Sequence, residues 1–433
     1  MTDTPLRVGI AGLGTVGMGT MRLLTDNADM IRMRCGRMMR VTAVSSRDKT
    51  RDRGMDLSSC IWHEDAIALA HDNNVDVVVE LIGGSDGAAK TLCETALRNG
   101  KPVVTANKAL IAHHGLQLAQ LAEEQGVGLG FEAAVAGGIP VIHALRTGLA
   151  ANRFERITGI LNGTSNYILT TMREEGRDFR DVLKEAQALG YAEADPTFDI
   201  DGIDAAHKLA IITSLAYGCP VNFDAVHVEG IRSITARDMQ HAEELGYVIK
   251  LLGIAAHTEK GIEQRVHPCF VPKSAPIAKV DGVYNAVVAQ GNAVGTVMFE
   301  GRGAGAGPTA SSVVSDLIDI ARGSGNMPFN LSTHLLAVQS FASMESLVSS
   351  YYIRLDVVDK PGVLADVTGI FRDYGISMRS FVQHSCQPGE IVEIALTTHA
   401  SKESSMQAAL EKIAGLESVV CAPQRIRIEE NQK

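Results

Sequence analysis

Residues 6–17 read Leu6-Arg7-Val8-Gly9-Ile10-Ala11-Gly12-Leu13-Gly14-Thr15-Val16-Gly17, and this segment is the strongest indication of the fold of the N-terminal part of the chain. Its first half is a short apolar run typical of a buried strand. Its second half has the G-x-G-x-x-G spacing, in which glycines permit a tight turn, close approach of the backbone to a pyrophosphate and close packing of the next helix. The spacing alone is a weak signal. A strand precedes it and a helical pattern follows it, however, which favours a dinucleotide-binding loop over a plain turn.

Apolar or β-branched runs alternate with amphipathic stretches from the N-terminus to about residue 150. The runs lie at 41–44, 75–81, 102–105 and 127–132, and the amphipathic stretches lie at 15–24, 88–99 and 109–124. Apolar strands that alternate with helices imply βαβ units and a parallel sheet covered on both faces. We therefore predict an α/β fold that begins with a doubly wound, Rossmann-type dinucleotide-binding domain over residues 1–150.

The rest of the chain shows three further patterns. Residues 151–322 combine strand-like runs with helical ones, which predicts a central α+β domain for substrate binding and dimerisation; the strands are 153–161, 264–271 and 286–299, and the helices are 165–175, 179–189, 203–217 and 309–322. Residues 323–350 are richer in Ser, Gly and Asn and indicate a connector. Residues 351–433 have the order βαββαβ, which predicts a ferredoxin-like module.

Composition argues against several classes of function. The 433-residue chain has a formal net charge of −10, whereas a nucleic-acid partner requires a clustered basic surface. The apolar runs are too short to cross a membrane. Seven scattered cysteines without a CxxC pair indicate neither a disulfide framework nor a zinc site. The strand close to the N-terminus leaves no room for a signal peptide. We expect a cytoplasmic protein without nucleic-acid or membrane partners.

The choice of nicotinamide cofactor depends on the end of the second strand, where the chain reads Ser45-Ser46-Arg47-Asp48. A site that prefers NAD usually has an acidic residue there to hold the ribose hydroxyls. Hydroxyls and a guanidinium suit the 2′-phosphate of NADP instead. A solvated polar turn explains the same residues equally well, so the preference for NADP over NAD is slight.

The densest group of ionisable residues begins in the segment GYAEADP at 190–196, which contains Glu193 and Asp195, and continues with Asp199, Asp201, Asp204 and Lys208. Asp204 and Lys208 are four residues apart and share one face of a helix. Such a pair is more often a surface salt bridge. Several carboxylates around one lysine also suit a substrate that carries an ammonium group and needs a proton donor. Neighbouring carboxylates raise the pKa of a lysine and burial lowers it, and the sequence leaves open which effect is larger.

Two other positions are candidates for ligand binding. Lys108 follows a predicted strand at the edge of the sheet where doubly wound folds bind ligands. It could donate to a substrate carbonyl or carboxylate, or it could be an exposed lysine at a helix start. Glu132 precedes a glycine-containing turn and could hold a hard cation together with backbone carbonyls. The residues alone favour a plain turn there.

Six motifs, taken in order, resemble homoserine dehydrogenase over about residues 6–322: AGLGTVG, VVTANKA, FEAAVAGGIP, ILNGTSNYIL, GYAEADPTFDIDGIDAAHKLAI and GRGAGAGPTAS. The tail, which contains Asp359-Lys360-Pro361-Gly362-Val363-Leu364, resembles an ACT domain, the amino-acid-sensing module often attached to this enzyme. The resemblance is to the monofunctional form of the family.

The resemblance implies reversible, NAD(P)-dependent reduction of L-aspartate 4-semialdehyde to L-homoserine, on the route to threonine and methionine. Lys208 would deliver a proton to the carbonyl oxygen as hydride reaches its carbon. Glu193 and Asp204 would hold the substrate, and Lys108 would lie beside substrate and cofactor. The chemistry agrees with this reading, since hydride reduction of an aldehyde needs a positioned nicotinamide and a cationic acid near the oxygen.

The resemblance also implies two ligand sets. The cofactor site would comprise Gly12, Gly14, Thr15, Val16, Gly17, Arg47, Lys108, Gly190, Gly305 and Gly307. A monovalent-cation site, for Na⁺ or K⁺, would use the side chain of Glu132 and backbone carbonyls of Val135, Gly137 and Ile139. The resemblance therefore raises the expectation of a cation site that the residues alone do not favour.

For the tail, the resemblance suggests feedback by threonine, with Gly362 letting an amino acid approach a helix N-terminus. A purely structural role in oligomerisation is the alternative, and either role predicts a homodimer or homotetramer.

Two other functions of the whole protein stay open. One is a different nicotinamide-dependent dehydrogenase of amino-acid metabolism. The other is a sensor that binds dinucleotide and amino acid without turnover, although a sensor has no need of an acid such as Lys208.

Overall fold

A computed structural model describes residues 4–324, 327–383 and 389–430. Cys386 and the outermost residues of the first and last predicted domains lie outside the described residues. The strands of the described residues form two sheets. The first is a six-stranded parallel sheet, and the second is an eleven-stranded mixed sheet.

The N-terminal sheet has the strand order β3-β2-β1-β4-β5-β6. Its strands are β1 (Leu6–Ala11), β2 (Met39–Ser45), β3 (Ile61–His63), β4 (Val77–Glu80), β5 (Val103–Thr105) and β6 (Leu129–Gly130). Its helices are α1 (Thr15–Asp26), α2 (Ala28–Cys35), α3 (Ala68–His71), α4 (Ala88–Arg98) and α5 (Lys108–Gln125). The prediction of a doubly wound parallel sheet is confirmed. Strand β3 was not predicted, because three residues without alternation give no pattern.

The loop after β1 lies where the strand order reverses, since β2 and β4 flank β1 on opposite sides. Two of its glycines are required by the space around them. Gly12 has φ +99°, and a Cβ there would lie 2.5 Å from the Leu81 carbonyl oxygen. A Cβ on Gly17 would lie 2.1 Å from the carbonyl oxygen of Gly12. Only glycine lets this loop fold tightly enough to leave the crevice beside it open.

The second sheet contains the remaining strands, in the order β12-β11-β7-β9-β10-β17-β13-β15-β14, with β8 paired to β10 and β16 paired to β13. They are β7 (Phe154–Ile160), β8 (His227–Val228), β9 (Tyr247–Thr258), β10 (Gly261–Pro272), β11 (Tyr284–Gly291), β12 (Gly295–Arg302), β13 (Val348–Val358), β14 (Met378–Gln383), β15 (Ile391–Thr398), β16 (Ser401–Lys402) and β17 (Gln424–Ile428). The associated helices are α6 (Val141–His143), α7 (Gly163–Glu175), α8 (Phe179–Ala188), α9 (Thr197–Ile200), α10 (Ile203–Tyr217), α11 (Ala236–Glu244), α12 (Ala306–Ala321), α13 (Val363–Asp373) and α14 (Glu403–Ala414).

Several details of the central part differ from the sequence prediction, and two of them concern long strands. The run 286–299, predicted as one strand, is a hairpin of β11 and β12 that turns at residues 292–294. The twelve-residue strand β9 was missed altogether. Most of β9 is buried, so its apolar residues do not alternate with polar ones as they do in a half-exposed strand.

The C-terminal unit has the predicted βαββαβ order, but its sheet is not separate. Strand β17 pairs in parallel with β10 of the central part, with Arg427 opposite Cys269 and Ile428 opposite Phe270. Because this pairing occupies one edge of the unit, that edge is not available to a second copy of the chain. The sequence pattern did not predict this continuity.

Helix α12 returns the chain to the N-terminal sheet. Its buried residues Val313, Val314 and Leu317 belong to the same apolar cluster as Val8 and Ile10 of β1. The helix therefore completes one face of the Rossmann-type sheet, although it lies within the range 151–322 assigned to the central domain. The domain boundaries themselves stay predictions.

Replacing Leu317 by Ala tests the role of α12. Leu317 is fully buried, so we expect the free energy of unfolding to fall by about 2–5 kcal/mol. Leu335→Ala is the matched control, because Leu335 is 59% exposed and its truncation should change stability by less than about 0.5 kcal/mol. Urea titrations followed by circular dichroism measure both. Equal stability of the two variants would show that α12 does not help to hold the sheet.

Candidate active site

A cavity of about 520 Å³ lies where the N-terminal sheet meets the central part of the chain. Its walls come from the starts of α5, α7 and α10 and from the loop that precedes α12. The polar and charged side chains among its lining residues are Lys108, Asn162, Thr164, Tyr191, Asp199, Asp204, Lys208, Asn285, Arg302 and Thr309. Val16 of the G-x-G-x-x-G loop also lines the cavity, so the dinucleotide loop opens into it.

Helix α10 brings the central charges together. It is buried along nearly its whole length, from Asp204 to Leu215, and Asp204 and Lys208 share one face four residues apart. The Nζ of Lys208 donates to Oδ2 of Asp204 at 2.7 Å and to the carbonyl oxygen of Leu161 at 2.7 Å. The Nζ of Lys108, at the start of α5, lies 2.9 Å from Oδ1 of Asp204. One buried carboxylate therefore binds two ammonium groups.

These neighbours shift the three pKa values in different directions. Burial alone would raise the pKa of Asp204, but the two lysines outweigh it and hold that pKa well below its usual range. Burial lowers the pKa of Lys208, and the charge of Lys108 acts in the same direction against the attraction of Asp204. Burial also acts to lower the pKa of Lys108, but Asp204 raises it overall. Lys208 is thus the more acidic of the two ammonium groups.

Asn162 connects a second carboxylate, that of Asp199, to Asp204 and its two lysines. Its Nδ2 donates to Oδ2 of Asp204 at 2.8 Å and to Oδ1 of Asp199 at 2.8 Å, while its Oδ1 caps α7 by accepting from the backbone N–H of Ser165. Burial raises the pKa of Asp199. The cap fixes the amide, so the positions of the two carboxylates depend on the start of α7.

A second cavity, of about 750 Å³, lies on the other side of the dinucleotide loop at the end of β2. Gly12, Gly14 and Arg47 line it. Asp48 is occupied by its own turn, because it accepts hydrogen bonds from the side chain and backbone of Thr50, which lower its pKa. The two cavities together leave room for the two ends of a dinucleotide.

The predicted cation site surrounds a buried carboxylate pair. Glu132 is 2% exposed and accepts backbone hydrogen bonds from Ile142 and His143, at 2.9 and 2.6 Å. Burial, with the nearby charge of Asp316, raises the pKa of Glu132 to about 8, and burial raises that of Asp316 to about 7. In the described ranges 4–324, 327–383 and 389–430, no group of three His, Cys, Asp or Glu side chains could hold a metal ion.

Comparison with known proteins identifies the family. The family model described as homoserine dehydrogenase matches residues 140–318, its NAD-binding domain matches 12–132, and an ACT domain matches 351–417. Homoserine dehydrogenases from Neisseria gonorrhoeae and Pseudomonas aeruginosa are 47% and 48% identical, each over 98% of this chain and 99% of their own. The chain belongs to the homoserine dehydrogenase family. It is an oxidoreductase that acts on a CH–OH group.

Solved structures agree with this assignment to the homoserine dehydrogenases. The enzyme from Thiobacillus denitrificans superposes with a TM-score of 0.94 at 47% identity, covering 99% of both chains. The enzyme from S. aureus gives a TM-score of 0.78 at 30% identity, covering 99% of this chain and all of its own. In the part of the chain that the structure describes, no helix is long and apolar enough to span a membrane.

The structure brings seven of the site residues expected for this family to one cavity. The two lysines, Asp204 and the glycines Gly137, Gly190 and Gly305 line the active-site cavity with Val16. Glu193 is exposed and is not among the lining residues, although its charge acts on Lys108. Gly307 lies in the first turn of α12, also outside the lining. The individual roles of these residues stay predictions.

Asn162 and Asn285 are two of the lining residues that the sequence analysis did not single out. Asn162 lies in the quoted motif ILNGTSNYIL, and an asparagine before a helical run is a capping signal that could have singled it out. Asn285 lies in β11, is 1% exposed, and its side-chain nitrogen and oxygen have no hydrogen-bond partner among the described residues. A Cβ on Gly303 would lie 2.2 Å from the Cγ of Asn285. Nothing in the local sequence distinguishes it from a core position.

Replacing Asp204 by Asn tests the shared carboxylate. The change keeps the shape of the side chain but leaves two ammonium groups without their counter-charge, so we expect the free energy of unfolding at neutral pH to fall by about 3 kcal/mol. The loss should shrink as the pH rises, because a deprotonated Lys208 needs no counter-charge. Chemical denaturation at neutral and alkaline pH measures this.

The matched control is Asp201→Asn, which removes a carboxylate that pairs with the exposed Arg232. Exposed pairs contribute little, so we expect a loss of less than about 1 kcal/mol. Two results would contradict the proposed charge balance. One is a loss of unfolding free energy in Asp201→Asn as large as that in Asp204→Asn. The other is a loss in Asp204→Asn that does not depend on pH.

Proposed function

We propose that the protein catalyses the reversible, NAD(P)H-dependent reduction of L-aspartate 4-semialdehyde to L-homoserine, with Lys208 as the proton donor. The observation that carries this proposal is the buried carboxylate of Asp204, which binds both Lys208 and Lys108 in a cavity that the dinucleotide loop also lines. A nicotinamide cofactor, when bound, supplies the hydride for the carbonyl carbon. The glycine loop fits its pyrophosphate, because a Cβ at Gly12 or Gly17 would collide with backbone atoms.

Lys208 completes the reduction by giving a proton from Nζ to the carbonyl oxygen as that oxygen gains charge. Its lowered pKa makes this transfer easier than for an ordinary lysine. The Leu161 carbonyl and Asp204 accept hydrogen bonds from Nζ and so orient it. In the reverse direction the neutral amine takes the proton from the hydroxyl of homoserine.

The substrate's amino-acid group matches the remaining charges. Lys108 suits its carboxylate, because Lys108 stays charged beside Asp204. Asp199 and Glu193 suit its ammonium group. Asp204 acts mainly on the two lysines, since both of its oxygens already accept hydrogen bonds or pair with an ammonium group. The product would serve the formation of threonine and methionine.

NADP is the proposed cofactor in preference to NAD. Arg47 lines the cavity at the end of β2, and the only carboxylate within the segment Ser45-Ser46-Arg47-Asp48 is engaged in its own turn. A hyperthermophilic archaeal homoserine dehydrogenase, 28% identical over 75% of this chain with a TM-score of 0.65, is described in complex with NADPH. A guanidinium pairs well with the 2′-phosphate that distinguishes NADP.

A monovalent cation, Na⁺ or K⁺, fits near Glu132. Burial raises the pKa of both Glu132 and Asp316, and the charge of Asp316 raises that of Glu132 further. A cation held by Glu132 and the backbone carbonyls of Val135, Gly137 and Ile139 would offset that charge. The Gly137 carbonyl already accepts from Ser312 and has one lone pair left for such a ligand.

The ACT domain is the proposed site of feedback by threonine, in a cytoplasmic homodimer or homotetramer. Gly362 has φ +100° and precedes α13, which leaves the N-terminus of that helix open to the polar groups of an amino acid. Initial rates with and without L-threonine test this regulation separately from catalysis.

Replacing Lys208 by Ala tests the proton donor. We expect kcat to fall by about 10²–10⁴-fold, because general acid catalysis contributes that much, while NADPH still binds. Absorbance of the nicotinamide band with homoserine measures turnover, and NADPH fluorescence measures binding. Lys184→Ala, on the exposed face of α8, is the matched control and should retain full activity. Retained turnover in Lys208→Ala would remove its assigned role.

Replacing Arg47 by Ala tests the cofactor preference. We expect the KM for NADPH to rise about tenfold or more, because a charge-assisted hydrogen bond is lost, while the KM for NADH stays the same. Arg40→Ala is the control, since Arg40 lies exposed near the opposite end of β2. Equal effects of Arg47→Ala on the two cofactors would argue against NADP selection by this residue.

A further inference from the structure

Strands from two different parts of the chain share one edge of β10. Strand β8 of the central part pairs there at Arg265 and Val266. Strand β17 of the ACT domain pairs on the same strand a few residues further on, at Cys269 and Phe270. The two short strands therefore lie end to end, and Glu229 follows β8 directly, with its backbone N–H donating to the carbonyl of Val266 at 2.7 Å.

The carboxylate of Glu229 binds the ACT domain. Arg427 of β17 is 3% exposed and donates to both Glu229 oxygens, at 2.8 and 2.9 Å. Arg427 also donates to both oxygens of Glu403, the first residue of α14, at 2.9 and 2.6 Å. Burial would raise the pKa of Glu229, but His227 and Arg427 outweigh it and keep that pKa well below its usual range. The pair is thus charged on both sides.

The backbone next to Glu229 touches the active-site segment. The N–H of Ile231 donates to the carbonyl oxygen of Ile200 at 2.8 Å. A Cβ on Gly230 would lie 2.4 Å from that same oxygen and 2.5 Å from the Cα of Asp201. Residues 229–231 therefore pack directly on residues 200–202, which lie between Asp199 and Asp204 in the chain.

We propose that Glu229 is a positioning residue for the reaction, which holds residues 199–204 in place and makes their position depend on Arg427 of the ACT domain. A displacement of β17 would move Glu229 first and then residues 200–202. The carboxylates of Asp199 and Asp204, which meet at Asn162, would follow. Small misplacements of such groups are costly for catalysis.

The contact between Arg156 and Glu429 makes a matched comparison possible. It also joins the central sheet to the residues after β17, but Arg156 lies near the start of β7 and the pair does not touch residues 199–204 by any hydrogen bond or ion pair among the described residues. Both contacts tie the ACT domain to the central part. Only the contact of Glu229 continues to the active site.

The experiment compares Glu229→Gln with Glu429→Gln in the full-length enzyme. We expect Glu229→Gln to lower kcat/KM for homoserine roughly tenfold while the KM for the cofactor stays the same, because neither Glu229 nor Arg427 lines the cavity at the end of β2. Glu429→Gln should keep all kinetic constants. Melting temperatures of both variants show how far each contact contributes to stability alone.

Arg427→Lys provides the second variant. It keeps the charge but loses the paired donors, so it should show a smaller loss of the same kind, and its effect should not add to that of Glu229→Gln. It also supplies the kinetic measurement if Glu229→Gln does not fold. Three results would overturn the proposal. The first is unchanged kinetics in Glu229→Gln and Arg427→Lys, and the second is an equal loss of kcat/KM in Glu429→Gln. The third is a parallel rise of the KM for homoserine and the KM for the cofactor.

The inference uses the proposed reaction only as its assay, so the two can fail separately. A wild-type enzyme that does not oxidise homoserine with either cofactor would refute the proposed function. An active wild-type enzyme whose Glu229 and Arg427 variants behave like it would refute the positioning role alone.

Discussion

The buried carboxylate of Asp204 is the interaction on which the active site depends. Asp204 and Lys208 are buried and Lys108 is partly exposed, and buried charges are tolerated only when each is paired and hydrogen-bonded. Each lysine has its own oxygen of Asp204, and Asn162 and the Leu161 carbonyl supply the remaining partners. The apolar packing of α10 on all sides holds Asp204 and Lys208 at a fixed separation, so the polar site rests on the hydrophobic core around that helix.

The same carboxylate also joins two parts of the fold. Lys108 is the first residue of α5, after β5 at the carboxyl end of the parallel sheet, whereas Lys208 belongs to the central helix α10. Asp204 therefore bridges the dinucleotide-binding sheet and the central part of the chain, in the cavity where the proposed hydride transfer would take place. Helix α12 ties the two parts together a second time, since it leaves the cavity wall at Gly305 and packs on β1.

The sequence predicted what depends on local pattern and missed what depends on distant packing. The alternation of strands and helices, the glycine loop and the βαββαβ tail all follow from short-range rules, and all were confirmed. Strand β9 escaped because burial of most of its length removes the alternation, and the charged Lys250 within it is satisfied by Asp281 from far along the chain. The pairing of β10 with β17 escaped because a register of two residues between remote strands leaves no trace in either segment.

The active site shows the same division between features that follow from local pattern and features that depend on distant packing. Spacing placed Asp204 and Lys208 on one face, but it could not decide between a surface salt bridge and a buried acid, because that depends on what covers the helix.

Burial of the site also separates the roles of the two lysines. Lys108 is partly exposed and its pKa is raised, so it holds its charge and suits the binding of an anion. Lys208 is buried more deeply, lies within reach of a second positive charge and has a lowered pKa. A group that must give up a proton and regain it in each cycle needs two protonation states close in free energy, and of the two lysines only Lys208 is in surroundings that bring them closer.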